Sequence, residues 1–479
     1  MQSLWESTAE IPSQDTLSQD KQVDVAVIGG GMAGILTACL LRESGADVIV
    51  LEANTVASGQ TKNTTAKITS QHDLIYDKLI SQHGREHAQQ YANANQTAIE
   101  EYERLINKHN IACDFERLPA HVYSTTEPKP LLKELKAVQE LGLPASYTEK
   151  NQLPFPITGA IRFDNQAQFH PLRFLQEMVK QVTIFEQSRV ISVEEGLIRT
   201  NSYSVHAQNI VFATHFPFIN VPGYYFMRMH QERSYVLALE GTQPLDGMYI
   251  GMADQSLSFR NYGSLLLMGG GDHRTGENSA GGKYDQLARA AKTYFPNSKE
   301  VYRWSAQDCM PLDEIPYIGR YSDSTPNWYV ATGFKKWGMS SSMVAAMLLR
   351  DAIQGKENPN AEIFSPQRQF TLAAAPTLLS EGAQAVKGLL REKLSPPRAA
   401  VDALPKGHGG VVEADGVKIG VYKDDTDNVY TVDTRCPHLG CQLEWNPDEK
   451  SWDCPCHGSR FDYTGRLLNG PAQTHVSNE

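Results

Sequence analysis

Four consecutive apolar residues, Val25 to Ile28, predict a strand buried on both faces, because a strand with one wet face would alternate. Met32, Ile35, Leu36, Cys39 and Leu40 then follow the spacing of one helix face, and Gly45 stands where a C-cap would end that helix. Val48 to Leu51 repeat the buried-strand pattern, and Glu52 closes it. Between the first strand and the helix lies Gly29-Gly30-Gly31-Met32-Ala33-Gly34, the G-x-G-x-x-G spacing. Gly29 permits a tight turn, Gly31 lets a pyrophosphate approach the backbone, and Gly34 lets the helix pack closely on the strand. The helix N-terminus favours phosphate, and Glu52 can accept hydrogen bonds from ribose hydroxyls. This unit predicts a dinucleotide site without separating FAD from NAD.

The following stretch, Ala57 to Lys67, is rich in small and hydroxyl residues. It reads as a loop whose Ser58, Thr64, Thr65 and Ala66 are candidates for contact with phosphate or an isoalloxazine; Lys67 and His72 take no assigned role. Tyr76 to Lys108 has helical spacing, and short strands with another helix continue to Asn151 as a substrate-covering region. Val190 to Val193 and Val205 to Thr214 read as strands returning to the dinucleotide unit, which adds Val190, Ala213 and Thr214 to its site. Gly223 to Ala306 reads as alternating strands. Within it, Gly269-Gly270-Gly271 reads as a turn and not as an NADH loop, since Arg274 occupies the third glycine position and no acid-tipped strand follows. A strand at Trp328 to Ala331 delivers Gly333, Phe334, Gly338 and Met339 to a helix beginning near Ser340. With no nicotinamide domain in between, this second glycine-rich junction suits a flavin ring against backbone amides.

At 479 residues the chain predicts about three domains. A formal charge of −11 disfavours nucleic acid and anionic membranes as partners. No basic and apolar leader and no apolar run of about 18 residues is visible, so a cytoplasmic protein without a membrane span is expected. Seven cysteines are present, and four of them, Cys436, Cys441, Cys454 and Cys456, crowd together with His438 and His457. In an unexported chain this points to metal ligation before a disulfide framework. The spacing C-x-H, fifteen residues, C-x-x-H fits a [2Fe–2S] cluster, with zinc as the alternative for any Cys/His set. Short strands such as Val417 to Tyr422 and Val429 to Val432 make this tail a small β domain. A proline-punctuated connector with a helix near Leu378 to Leu394 precedes it.

Residues 22 to about 355 resemble the D-amino-acid-oxidase superfamily of the glycine, sarcosine and γ-glutamylputrescine oxidase type. The resemblance rests on Gly29, Gly31, Gly34, Glu52, Ser58-Gly59, Ala213-Thr214, Asp313-x-x-Pro316-x-x-Gly319 and Thr332-Gly333-Phe334 with Gly338. It implies FAD and an α/β Rossmann-like FAD domain (22–75, 152–222 and 301–357) with an inserted antiparallel α+β substrate domain (76–151 and 223–300). It also implies hydride transfer from a C–H beside an amine nitrogen to flavin N5. The sarcosine-oxidase lysine that binds substrate carboxylate is replaced here by Ser340, which leaves Arg228, Arg233 and Arg260 as candidates for an anionic substrate, with Tyr235 a further catalytic candidate. Cys309 is out of register with the family's flavin-linking cysteine, so non-covalent FAD is expected.

After a linker at 358–400, residues 401–479 resemble Rieske proteins of the cytochrome-bc-complex type. The resemblance implies Cys436, His438, Cys454 and His457 as cluster ligands, a Cys441–Cys456 disulfide, a hydrogen bond from Ser459 to a cluster sulfide, and a third covering loop at Gly470-Pro471-Ala472. Replacing two thiolates by neutral imidazoles makes the cluster easier to reduce, giving roughly −150 to +300 mV for Rieske centres. Phe461 stands where high-potential members carry a tyrosine, so a value below that group is expected. The combined expectation is an amine or amino-acid oxidoreductase that passes electrons singly through the cluster to a one-electron acceptor protein or quinone. The alternatives are an O2-using amine oxidase with a regulatory or structural cluster, and a non-catalytic electron carrier or redox sensor.

Overall fold

A computed structural model describes residues 2–252, 256–368, 404–414 and 417–476. The first sheet is built around the strand Lys21–Ile28, paired in parallel with Val48–Leu51 on one side and Ser204–Phe212 on the other. Thr183–Phe185 extends it beyond Val48–Leu51, and Trp328–Thr332 extends it beyond Ser204–Phe212. The helices Met32–Glu43 and Gly338–Ile353 pack together on one face of the sheet, and nearly all their residues are buried because both are covered all round. The C-terminal ends of the central parallel strands therefore open onto one crevice, the place where open α/β sheets bind ligands.

A second sheet, mainly antiparallel, runs in the order Lys299–Pro311, Met229–Glu240, Leu265–Arg274, Ser258–Tyr262, Met248–Gly251, Glu116–Ser124, Gly159–Gln168 and Lys67–Ile68. The long helix Ile75–His109 carries a break at Gly84, whose φ of 81° is non-helical. Three expectations change here. Gly159–Gln168 and Lys299–Pro311, assigned from sequence largely to the dinucleotide domain, pair in the second sheet, because register between distant strands decides membership. Gly269 to Gly271 is not a turn but part of the strand Leu265–Arg274. A Cβ on Gly269 would meet Ser258 Oγ at 2.7 Å, so the glycines serve close approach between strands. Lastly, Lys283–Tyr294, inside the stretch read as strands, is a helix that buries Tyr284, Leu287 and Ala291 at helical spacing.

The C-terminal module is all β. Three antiparallel strands, His408–Ala414, Val417–Lys423 and Val429–Asp433, form one sheet, and Glu444–Asn446, Ser451–Asp453, Arg460–Asp462 and Leu467–Asn469 form another. Trp445, Trp452, Leu443 and Phe461 pack between them. The two cysteine-bearing loops and residues 470–473 follow the strands Val429–Asp433, Ser451–Asp453 and Leu467–Asn469. The helix expected near Leu378 to Leu394 lies outside the described residues. Among the described residues, no helix is long and apolar enough to cross a membrane.

Candidate functional site: a flavin crevice beside an iron–sulfur site

Two glycines of the loop are sterically required. Gly29 sits at φ 112°, and a Cβ there would lie 2.5 Å from the Ala213 carbonyl oxygen. A Cβ on Gly34 would overlap the Gly29 carbonyl, which is why the helix can seat on the strand only with glycine at that point. The N-cap residues Gly31 and Trp337 of the Met32–Glu43 and Gly338–Ile353 helices make no side-chain cap bond, although the Met32 N–H donates to Thr61 Oγ1 at 3.0 Å. Two helix N-termini with backbone donors thus face the crevice. Glu52 accepts from the N–H groups of Gly30 at 2.7 Å and Asn54 at 2.8 Å, while burial holds its pKa above the ordinary carboxylate range. Its carboxylate is fixed in place with lone pairs left for ribose. These features fit an adenine dinucleotide.

The crevice widens into a cavity of about 1040 Å3. Gly29, Gly31, Glu52, Ser58, Thr64, Thr65, Val190, Ala213, Thr214, Phe334, Gly338 and Met339, all candidates from the sequence, line it. Gly34, Ala66 and Gly333 lie behind that wall and shape it. Ala66 is fully buried at φ 56°, and Gly333 turns at φ 72° against Pro311. A short N-terminal helix, Leu4–Thr8, which the sequence reading did not find, supports the loop: buried Trp5 donates from Nε1 to the Thr64 carbonyl at 2.7 Å.

The three arginines proposed for an anionic substrate are engaged elsewhere, and none lines the cavity. Arg260, 1% exposed, donates to the carbonyls of Thr65, Ala66 and Phe169. Arg228 lies over the Tyr317 ring and donates to the Pro366 carbonyl. Arg233 is buried and pairs with Glu449 of the C-terminal module at 2.9 Å. Tyr235 does line the cavity, with its hydroxyl 3.1 Å from His273 Nε2.

Acids that the sequence reading missed occupy the wall instead. Glu232 and Asp308 are cross-strand partners, and Lys336 bridges Glu232 at 3.3 Å and Asp272 at 3.2 Å. Burial, with Asp272 and Glu232 nearby, pushes Asp308 up to about 7 against the pull of Lys336. Lys67 also lines the cavity, and burial together with Arg260 brings its ammonium down to about 7. His72 is held neutral, lowered to about 3 chiefly by burial; it contacts Tyr91 Oη at 2.6 Å and stacks on Trp337. A sequence signal for the acidic wall existed in the alternation along Met229–Glu240, where His230, Glu232 and Ser234 share the less buried face.

In the C-terminal module the sulfurs of Cys436 and Cys454 are in hydrogen-bond contact. That contact, with the backbone N–H groups of His438 and Leu439 and the Ser459 hydroxyl, draws the Cys436 thiol down to about 7. The rings of His438 and His457 stand 4.8 Å apart, nearly perpendicular, and the Nδ1 atoms of both are buried without a partner. Two thiols and two orphaned imidazole nitrogens converging in this way are the donor set of a [2Fe–2S] centre with mixed ligation. Cys441 and Cys456 are disulfide-bonded, which ties the first ligand loop to the second. Ser459 is fully buried, and its hydroxyl also accepts from the Ala472 N–H at 3.0 Å.

Comparison with known proteins agrees with both halves. Residues 24–352 match the DAO family of FAD dependent oxidoreductases, and residues 396–478 match the Rieske [2Fe-2S] domain. YhfW of Bacillus subtilis (strain 168), named as a Rieske 2Fe-2S iron–sulfur protein, is 37% identical across 98% of this chain and 96% of its own length. A cytochrome b6-f complex iron–sulfur subunit of Cyanothece sp. (strain PCC 7425 / ATCC 29141) is 43% identical over 61 residues, 13% of this chain and 34% of that protein. Glycine oxidase from Geobacillus kaustophilus shares the fold, with TM-score 0.60 and 17% identity over 73% of this chain and all of that one. With FAD implied by the crevice and a [2Fe–2S] cluster by the four converging ligands, the chain belongs to the DAO family of FAD-dependent oxidoreductases and carries a C-terminal Rieske domain.

Proposed function

We propose that this enzyme oxidises the C–N bond of an amine or amino acid through FAD and delivers the electrons, one at a time, through the Rieske cluster to an external one-electron acceptor. FAD supplies the two-electron chemistry, accepting hydride from the carbon beside nitrogen; the imine product hydrolyses in water. The observation that carries the reading is that residues Gly470 to Gln473 of the Rieske domain line the same cavity as Gly29, Glu52 and Met339. A two-electron site and a one-electron site therefore share a wall.

The amine end of the substrate has suitable partners. Glu232 and Asp272 offer negative charge to a cationic nitrogen, balanced by Lys336 between them. Hydride departure needs the nitrogen lone pair, so a proton must leave the amine first. Lys67, lowered to about 7 by burial and Arg260, is partly neutral near that pH and suited to accept it. With all three candidate arginines engaged in structural contacts, an amine is favoured over a substrate held by its carboxylate.

The test is anaerobic mixing of the holoenzyme with a panel of amines and amino acids, and separately with NADH and NADPH. Flavin bleaching by an amine, followed by a Rieske EPR signal, is the expected result. Rapid reduction by a nicotinamide would reverse the direction of electron flow. Stoichiometric hydrogen peroxide at a rate unaffected by His438→Ala would make the protein an oxidase.

A further inference from the structure

The Rieske domain meets the flavin domain through two buried glutamines on adjacent strands. Gln231 donates from Nε2 to the carbonyls of His457 at 2.6 Å and Gly470 at 3.2 Å. Its Oε1 accepts from Gln307 Nε2 at 2.6 Å, and Gln307 also donates to the Gly458 carbonyl at 2.7 Å. The two side chains are 1% and 0% exposed. The Gln307 N–H is held in turn by Gln60 Oε1, a residue of the cavity wall, at 2.7 Å. Gly458, at φ 79°, has no room for a Cβ, which would sit 2.6 Å from Gln231 Cβ. Two glutamines therefore clasp the second and third cluster loops directly behind the flavin cavity.

The surrounding contacts point the same way. Asp448 accepts from the N–H groups of Gly282 and Lys283 and from the Asn278 amide, all at 2.9 or 3.0 Å. Arg274 donates to the Pro455 carbonyl at 3.0 Å. The imidazole edges are turned inward: His438 Nε2 meets Asn220 Oδ1 at 2.8 Å, and Phe216 and Phe226 flank His457. A module that swung out to deliver electrons would have to break this whole set at once, exchanging each bond for one to water.

We propose that Gln231 and Gln307 are positioning residues that keep the cluster seated against the flavin cavity throughout turnover, so that electrons cross a fixed interface and the Rieske domain does not swing. This rests on the electron path of the proposed function. The reduced flavin gives up two electrons, and its protons pass to water. Each electron converts one ferric iron of the cluster to ferrous, and a one-electron oxidant must remove the first before the second can follow.

The test needs no amine. In the full-length holoenzyme the flavin is reduced by a light flash with a deazaflavin donor; flavin reoxidation is followed optically and the cluster by EPR, with ferricyanide as final acceptor. In the Gln231→Leu/Gln307→Leu double variant the flavin content and the Rieske g-values should be unchanged, while flavin-to-cluster transfer slows by about tenfold or more. Unchanged transfer would overturn the proposal. A second arm covers a variant that fails to fold: Asn278→Cys and Asp448→Cys, joined by a bismaleimide, should retain flash-driven transfer and ferricyanide reduction. Loss of either in the cross-linked protein, but not in singly labelled controls, would overturn it as well. Failure of every amine to bleach the flavin, with fast flash-driven transfer, would remove the amine reading alone.

Discussion

The phosphate end of the flavin crevice is made largely of backbone: two helix ends open onto it, and its shape depends on the side chains that Gly29 and Gly34 lack. The Rieske site is made of side chains, two sulfurs and two imidazoles that converge from loops tied by the Cys441–Cys456 bridge. The first site is thus broken by adding atoms and the second by removing them. The fold around each follows from this difference. Helices must seat tightly on strands to bring amides to a phosphate, whereas short β loops suffice to aim four ligands.

The largest expected effect is on the side-chain site. Cys454→Ser or His438→Ala should abolish the Rieske EPR signal and lower iron content while leaving the flavin spectrum intact. The converse change, Gly34→Ala, adds a methyl group that overlaps the Gly29 carbonyl. It should cost about 1–3 kcal/mol in overpacking and empty the flavin site, read as lost flavin absorbance with the EPR signal retained.

Between the two sites lies the buried Arg233–Glu449 pair, 1% and 12% exposed. Glu449→Gln should destabilise the docked module by about 3–5 kcal/mol, and replacing both partners with apolar residues should recover most of that, measured by denaturant unfolding. A smaller effect concerns pH. Asp308 holds its proton up to about 7 in the folded chain, against 3.8 ordinarily. The stability this gives is complete at low pH and is lost as pH rises through about 7. Lys67 has the opposite sign: its folded value near 7 lies below the ordinary 10.5, so stability falls as pH drops through about 7. Melting curves should lose a slope between pH 3.8 and about 7 in Asp308→Asn, and between about 7 and 10.5 in Lys67→Met. Smallest of all, Phe461→Tyr should raise the cluster potential by on the order of tens of millivolts in redox-monitored EPR, through a hydroxyl donated to a ligand sulfur.

What could be read from the sequence follows the same divide. The dinucleotide loop and the cluster ligands lie in short contiguous stretches, so the spacings of Gly29 to Glu52 and of Cys436 to His457 point to them, whereas FAD over NAD and the roles of Cys441, Cys456 and Ser459 rest on family resemblance. The cavity wall is not contiguous. Glu232 and Asp308 become neighbours only through strand register, and Lys336 joins them from a loop after a different sheet. The arginines misled for a related reason. An arginine's role is set by what lies opposite, and for Arg233 that is Glu449 in another domain. Gln231 and Gln307 carry no sequence signal, because a buried amide and a surface amide look alike until their partners are known. The glycine run at Gly269 resembles a turn in composition, yet serves strands in close contact.

The inward-facing imidazoles also bear on how the cluster is reached from outside. Cys436, Cys454 and His457 are all buried, and the edge of His438 is covered by Asn220. The docked module therefore shields the second ligand loop more than the first, where His438 is half-buried beside exposed Leu439. A reagent that attacks the cluster from solvent is thus expected to meet the His438 side first.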